Sequence, residues 1–146
     1  PREMSLAAAS ACILLGLVAI AINYAADAQR QRVRQTGGQC EIWGGPARVI
    51  RASYRGWDGL ERENLLLVSG YWGLARHFHY LPEVCLAIAW TVPAGPYFAP
   101  YVYVVFLTLL LLDRAGRDDK RCAIKYGNAW TTYRKLVPYK VIPRVY

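Results

Sequence analysis

The segment "LLLVSGYWGLARHFHYLPE", Leu65 to Glu83, sets Arg76, His77 and His79 among Tyr71, Trp72 and Tyr80, directly before a long apolar run. A guanidinium and imidazoles can hold anions or move protons, and such groups at the entry to an apolar segment are costly unless they face a polar cavity or a ligand. The same residues also suit an aromatic belt at a bilayer interface, with Arg76 and His77 meeting headgroups. A second stretch able to do chemistry is "DRAGRDDKRCAIKYGNAWTTYRKLVPYK". Read as a helix, it puts Arg114, Asp118, Cys122 and Tyr126 on one stripe, with Lys125 beside them and Trp130 and Tyr133 continuing the face after Gly127. Such a stripe can hold a multiply charged aromatic ligand, or it can be a solvated helix laced with i,i+4 ion pairs. Spacing leaves both readings open.

Hydropathy indicates which elements must carry these residues. Hydrophobic residues make up 55% of the 146, rich for a soluble domain, and they are clustered. Leu6 to Tyr24 is uncharged and about as long as a helix that crosses a hydrocarbon core. Val84 to Leu112 is a longer uncharged run, broken by Pro93, Pro96 and Pro100. The expected fold is all-α, a polytopic membrane helical bundle with about three membrane helices. Its parts are a membrane helix over 1–25, a cytoplasmic loop over 26–64, a membrane helical hairpin over 65–112, and a cytoplasmic C-terminal juxtamembrane helix and tail over 113–146. Glycines and short alternating stretches such as "ARVIRASY" predict a β-hairpin within the loop, its turn near "WDG". Arg30, Arg32 and Arg34 after the first run, and Arg114, Arg117, Lys120 and Arg121 after the second, place both ends on the cytoplasmic side. The first run has the wrong flanks for a cleaved signal peptide, and a chain opening on Pro1 is expected to be the C-terminal part of something longer.

Several function classes drop out. The net charge of +8 fits membrane flanks that neutralise anionic headgroups, and with no base-stacking module it does not argue for nucleic acid. Cys12, Cys40, Cys85 and Cys122 stand far apart without metal-ligand spacing, so neither a metal site nor a disulfide framework is expected. Nucleophile-elbow, dinucleotide-fold and P-loop signatures do not occur in the sequence.

Both chemistry-bearing stretches resemble the sterol reductase family, which includes delta-14 and delta-7 reductases and the membrane part of the lamin B receptor. "LLVSGYWGLARHFHY" is similar to the family's L-L-x-S-G-[WF]-W-G-x-[AS]-R-H-x-[NH]-Y signature. "DRAGRDDKRCAIKYGNAWTTY" with "VPYKVIPRVY" is similar to its R-D-[ED]-x-[RQ]-C-x-x-K-Y-G-x-x-W-x-x-Y ending. "CEIWGGPARVIRASYRGWDG" and "HFHYLPE" look most like the delta-7 branch of plant or algal type. Family members are longer, so the resemblance implies their C-terminal, cofactor-binding third, in an endoplasmic reticulum membrane. These residues alone would hold little of the sterol cavity and would not turn over.

The resemblance implies NADPH-dependent saturation of a sterol ring double bond, here the 7–8 bond of a 5,7-diene, with a delta-14 reductase as the alternative. An isolated alkene accepts hydride poorly, so an acid must protonate one carbon while hydride reaches the other, with water excluded. By position, Arg30 and Arg34 fall on the basic residues that hold the cofactor's phosphate and adenosine end; the first is more often Lys in the family. Leu67, Trp72, His79, Tyr80, Asp118, Cys122, Lys125, Tyr126 and Tyr133 fall on further cofactor positions, with Ala123 and Ile124 inside that segment. Arg114 and Asp118 match an Arg and an Asp needed for turnover. The Arg-His-aromatic cluster would then wall a cofactor pocket open to the cytoplasm. Partners implied are the sterol, membrane lipids and the rest of the reductase. A non-catalytic membrane scaffold and an isoprenylcysteine methyltransferase-like enzyme are the other classes, and comparing NADPH with S-adenosylmethionine separates them.

Overall fold

The computed structural model describes residues 4–146. Helix α1, Leu6–Gln35, starts where the Ser5 side chain accepts from Ala8 N and ends with Arg32 and Arg34 in its last turn, where cations favour the exposed carbonyls. Its buried side is a line of small residues, Gly16, Ala19 and Ala26, followed by Val33. Gly16 lies against Leu86 and Ala89 of the helix that packs on it, the close approach that small residues permit between membrane helices.

Two antiparallel hairpins follow, so the fold departs from an all-α expectation. Strands β1 (Glu41–Ile42) and β2 (Gly45–Pro46) join through Trp43 and Gly44, both at positive φ, as a tight two-residue hairpin turn requires. The Trp43 ring then meets Tyr71 edge-on at 4.9 Å. Strands β3 (Val49–Arg55) and β4 (Glu61–Leu67) pair from Val49↔Leu67 to Arg55↔Glu61, so the turn carries the W-D-G triplet. There Asp58 accepts from Leu60 N at 3.2 Å, the local side-chain bond that favours Asp in turns.

After the one-turn helix α2 (Tyr71–Leu74), helix α3 covers Tyr80–Thr91 and closes in a 3-10 turn at Val92–Ala94, where Pro93 cannot extend the helix. Helix α4 then runs unbroken from Phe98 to Tyr126, with Pro100 tolerated in its first turn. The hairpin expected over 65–112 is thus unequal. Residues 65–67 are strand, the first arm is about 18 Å long by helical rise against a hydrocarbon core of about 30 Å, and the second continues well past Asp113. Among the described residues two helices, α1 and α4, are long and apolar enough to cross a membrane, while Tyr80–Ala94 is a shorter apolar segment. Only 11% of each apolar window is buried among these residues, unlike a mostly buried core helix. Their exposed Leu, Ile, Val and Phe side chains form the apolar surface that a lipid-facing helix presents.

Gly127, at φ 51, ends α4 and lets α5 (Asn128–Leu136) leave at once in a new direction. Three small cores join the parts beyond the apolar band. Val33, Ile42, Leu67 and Trp72 tie α1 to the hairpins; Val68, Trp130, Tyr133 and Val137 tie α5 to the end of β4; Tyr80, Leu111, Ala115 and Val141 tie α3 and α4 to the last segment of the chain.

Candidate functional site

Where these cores meet, α1, β4, the 70–80 segment, α4 and α5 enclose a cavity of about 390 Å³. Its position follows from local sequence. Gly70, at φ 64 and pressed against Gln29 and Ile42, has no room for a side chain, and the bend there lets Tyr71 N donate to Gln29 Oε1 at 3.1 Å. Trp72 follows and donates its indole N–H to Ala26 O at 2.6 Å, which fixes the ring against α1. The guanidinium of Arg30 lies 4.7 Å over that ring, a cation–π contact that aims it along the cavity wall.

The histidines follow on the same segment. His77 stacks on Tyr80 at 5.2 Å with ring planes 9° apart, and His79 packs 4.4 Å from Tyr80 and 5.1 Å from Trp72. Burial lowers the pKa of His77, with Asp118 opposing the shift. Burial, reinforced by His77 and Arg30, lowers His79 to about 4. Both imidazoles are therefore neutral at neutral pH. Arg30 Nε, His77 Nε2 and His79 Nδ1 are buried without a hydrogen-bond partner among the described residues. Arg76 Nε also lacks a hydrogen bond but faces the Asp119 carboxylate at 3.5 Å; the other three orphaned polar atoms match a polar, anion-bearing ligand better than an apolar one.

Helix α4 contributes Arg114, Asp118, Cys122 and Tyr126 at four-residue spacing, and Asn64 of β4 donates to Tyr126 OH at 2.8 Å. Trp130 and Tyr133 reach the cavity from α5, across the Gly127 break and not along one continuous helix. Burial raises the Tyr133 pKa, so the phenol keeps its proton and donates it to Trp72 O at 3.3 Å. The arrangement combines Arg30, Arg34 and Arg114 for anions, flat aromatic walls for rings, two neutral imidazoles and the Asp118 carboxylate.

Of the positions drawn from the family resemblance, Arg30, Arg34, Leu67, Trp72, His79, Tyr80, Arg114, Asp118, Cys122, Tyr126 and Tyr133 line this one cavity. Ala123, Ile124 and Lys125 do not. Ile124 is 87% exposed, and the Lys125 ammonium sits 3.8 Å over the Tyr54 ring, outside the cavity lining. Asn64, Leu65, Leu66, Arg76, His77 and Trp130, to which the resemblance assigned no individual role, complete the wall. Arg76, His77 and Trp130 belong to the quoted motifs themselves, whereas nothing local in the sequence marks Asn64. From its place in the wall, Arg76 donates to Val137 O at 2.7 Å and Pro138 O at 2.9 Å, and faces Asp119.

The sequence profile described as the Ergosterol biosynthesis ERG4/ERG24 family matches residues 1–146. The chain is 50% identical to a 7-dehydrocholesterol reductase of Arabidopsis thaliana, across 100% of this chain and 34% of that protein. It is 37% identical to the 7-dehydrocholesterol reductase of Xenopus laevis, across 100% of this chain and 31% of the relative. A Delta(14)-sterol reductase of Methylotuvimicrobium alcaliphilum is 37% identical over 93% of this chain and 30% of its own length. The chain thus spans about a third of the curated relatives it matches. Both motif-bearing stretches, and the cavity they enclose, fall inside the matched residues: the chain belongs to the ERG4/ERG24 family of ergosterol biosynthesis.

Proposed function

We propose that these residues form the cofactor-binding part of an NADPH-dependent sterol reductase of the endoplasmic reticulum membrane, acting on the 7–8 double bond of a 5,7-diene sterol. The observation that carries the reading is the cavity wall on which Arg30 Nε, His77 Nε2 and His79 Nδ1 are buried and unpartnered beside the Trp72 and Tyr80 rings. A dinucleotide offers phosphates and hydroxyls to such atoms and flat rings to such walls. The 7–8 assignment draws on the 50% identity to a plant 7-dehydrocholesterol reductase, and the identity to a bacterial Delta(14)-sterol reductase supports the 14–15 bond as the second reading.

In this reading a bound nicotinamide supplies the hydride. Arg30 and Arg34 hold the phosphate end, since a guanidinium grips phosphate oxygens in pairs. Trp72, Tyr80, Tyr126 and Tyr133 orient the rings and exclude water, with Leu67 and Cys122 as apolar lining. His79 Nδ1 and His77 Nε2 exchange hydrogen bonds with ligand hydroxyls or amide groups. Asp118 and Arg114 form the polar end of the cavity, where the carboxylate orients the guanidinium and serves the proton supply to the alkene. Lys125 stands at the Tyr126 end, over the Tyr54 ring, and with Ala123 and Ile124 meets only a part of the cofactor that extends past Tyr126. The sterol pocket belongs mainly to the remainder of the reductase. Equilibrium binding of NADPH, NADH and S-adenosylmethionine to the whole protein, with sterol product analysis, tests the reading. NADPH should bind and a 5,7-diene should lose its 7–8 bond. Preference for S-adenosylmethionine, or binding of none of the three, overturns it.

A further inference from the structure

Away from the cavity mouth, Arg134, Lys135 and Lys140 converge with Thr131 and Arg76 on a depression of about 450 Å³ that no carboxylate of the described residues lines. Asp119, behind Arg76, stands 3.8 Å from Arg134 and offsets only part of this charge. Beside the depression the same stretch of chain leaves Leu136, Ile142, Val145 and Tyr146 exposed. Cations alternating with exposed apolar side chains are the composition of segments that lie in a membrane interface.

The depth of the segment is set by packing. Val141 is buried among Tyr80, Leu111 and Ala115, and Asp113 is the first charge after the apolar run of α4. Val141 therefore sits where the apolar part of α4 gives way to its charged part, which is headgroup level for a crossing helix. Beyond it the chain folds into a tight turn: Val141 N and Ile142 N both donate to Tyr146 O, at 2.8 and 3.0 Å, with Arg144 held at φ 66. The turn projects Ile142 and Val145 outward, and Lys140 Nζ bonds Tyr146 OH at 3.2 Å.

We propose that residues 134–146 form an interfacial strap that docks on anionic phospholipid headgroups, with Arg134, Lys135 and Lys140 on lipid phosphates and Ile142 and Val145 in the headgroup boundary. The strap also reaches the cavity. Arg76 N and His77 N donate to Tyr139 O and Lys140 O at 3.0 and 2.6 Å, and the Arg76 guanidinium holds the Val137 and Pro138 carbonyls. Docking on the leaflet thus steadies the wall to which His77 belongs. The inference rests on the membrane placement of α1 and α4 and not on the cofactor reading.

Amide hydrogen exchange on the whole protein, in nanodiscs of phosphatidylcholine with or without phosphatidylserine, tests it. Exchange at residues 139–146 and at Arg76 and His77 should slow by about tenfold with phosphatidylserine. The protection should vanish at high salt and in an Arg134→Gln, Lys135→Gln, Lys140→Gln variant, and persist in a Lys120→Gln, Arg121→Gln variant. Inorganic phosphate added to phosphatidylcholine discs should give none. Equal exchange in the two lipids, protection by inorganic phosphate alone, or protection that survives the triple variant overturns the strap. NADPH binding measured on the same discs tells this failure from failure of the cofactor reading.

Discussion

The guanidinium of Arg76 stands 3.5 Å from the Asp119 carboxylate, with side-chain exposures of 3% and 13%. This buried pair spans the turn before α3 and the outer part of α4, and Asp119 also accepts from Trp130 Nε1 at 3.1 Å. One carboxylate thereby holds both the Arg76 wall and the α5 wall of the cavity. Asp119→Ala leaves a buried cation without its counter-charge and should cost about 3–5 kcal/mol, whereas Trp130→Phe, which exchanges the buried indole for a smaller phenyl and loses one bond to a charged group, should cost at least about 1.5–3 kcal/mol. Denaturant unfolding in detergent measures both. A loss under about 1 kcal/mol for Asp119→Ala would mean the pair behaves as a solvated one.

Asp118, one residue earlier, points the other way, into the cavity. Asp118→Asn in the whole enzyme should lower turnover by more than about tenfold while leaving unfolding nearly unchanged. The two aspartates are thus expected to separate: stability for Asp119, rate for Asp118. Normal turnover by the Asp118→Asn variant would return the stripe to a solvated helix.

Arg30 and Arg34 lie four residues apart on the cavity side of α1. NADPH differs from NADH by one phosphate, so replacing both arginines with Gln should weaken NADPH by a few kcal/mol, the scale of charge-assisted bonds, and leave NADH nearly unaffected. A general folding defect weakens both cofactors. Equal losses, or none, would leave these arginines as topology markers only.

The His79 pKa is lowered to about 4, first by burial and then by His77 and Arg30. An unfolded chain takes up a proton on this residue near pH 6.5 while the folded chain resists. The stabilising contribution is thus complete above about pH 6.5 and is lost progressively as pH falls toward 4. His79→Phe should flatten the stability profile in that window. An unchanged slope between pH 6.5 and 4 would show that the imidazole is solvated.

Hydropathy, helical spacing and turn chemistry are local properties, so the two apolar runs, the four-residue stripe on α4 and the β-hairpin turn at W-D-G were all legible in the chain before it folds. Family membership was legible too, through motifs confined to two stretches. Other features exist only through packing. Asn64 reaches the cavity only because β4 pairs with β3 and turns it toward Tyr126. Asp118 and Asp119 are neighbours of identical type, and only the packing of α5 and the Arg76 turn against α4 sends one into the cavity and the other behind its wall. Ile124 and Lys125 stand inside a motif yet outside the cavity lining, because successive residues on a helix point about 100° apart. The short first arm of the hairpin likewise reflects a backbone committed to the bend at Gly70 and the Arg76–His77 bonds to the last segment, contacts made between residues far apart in the chain.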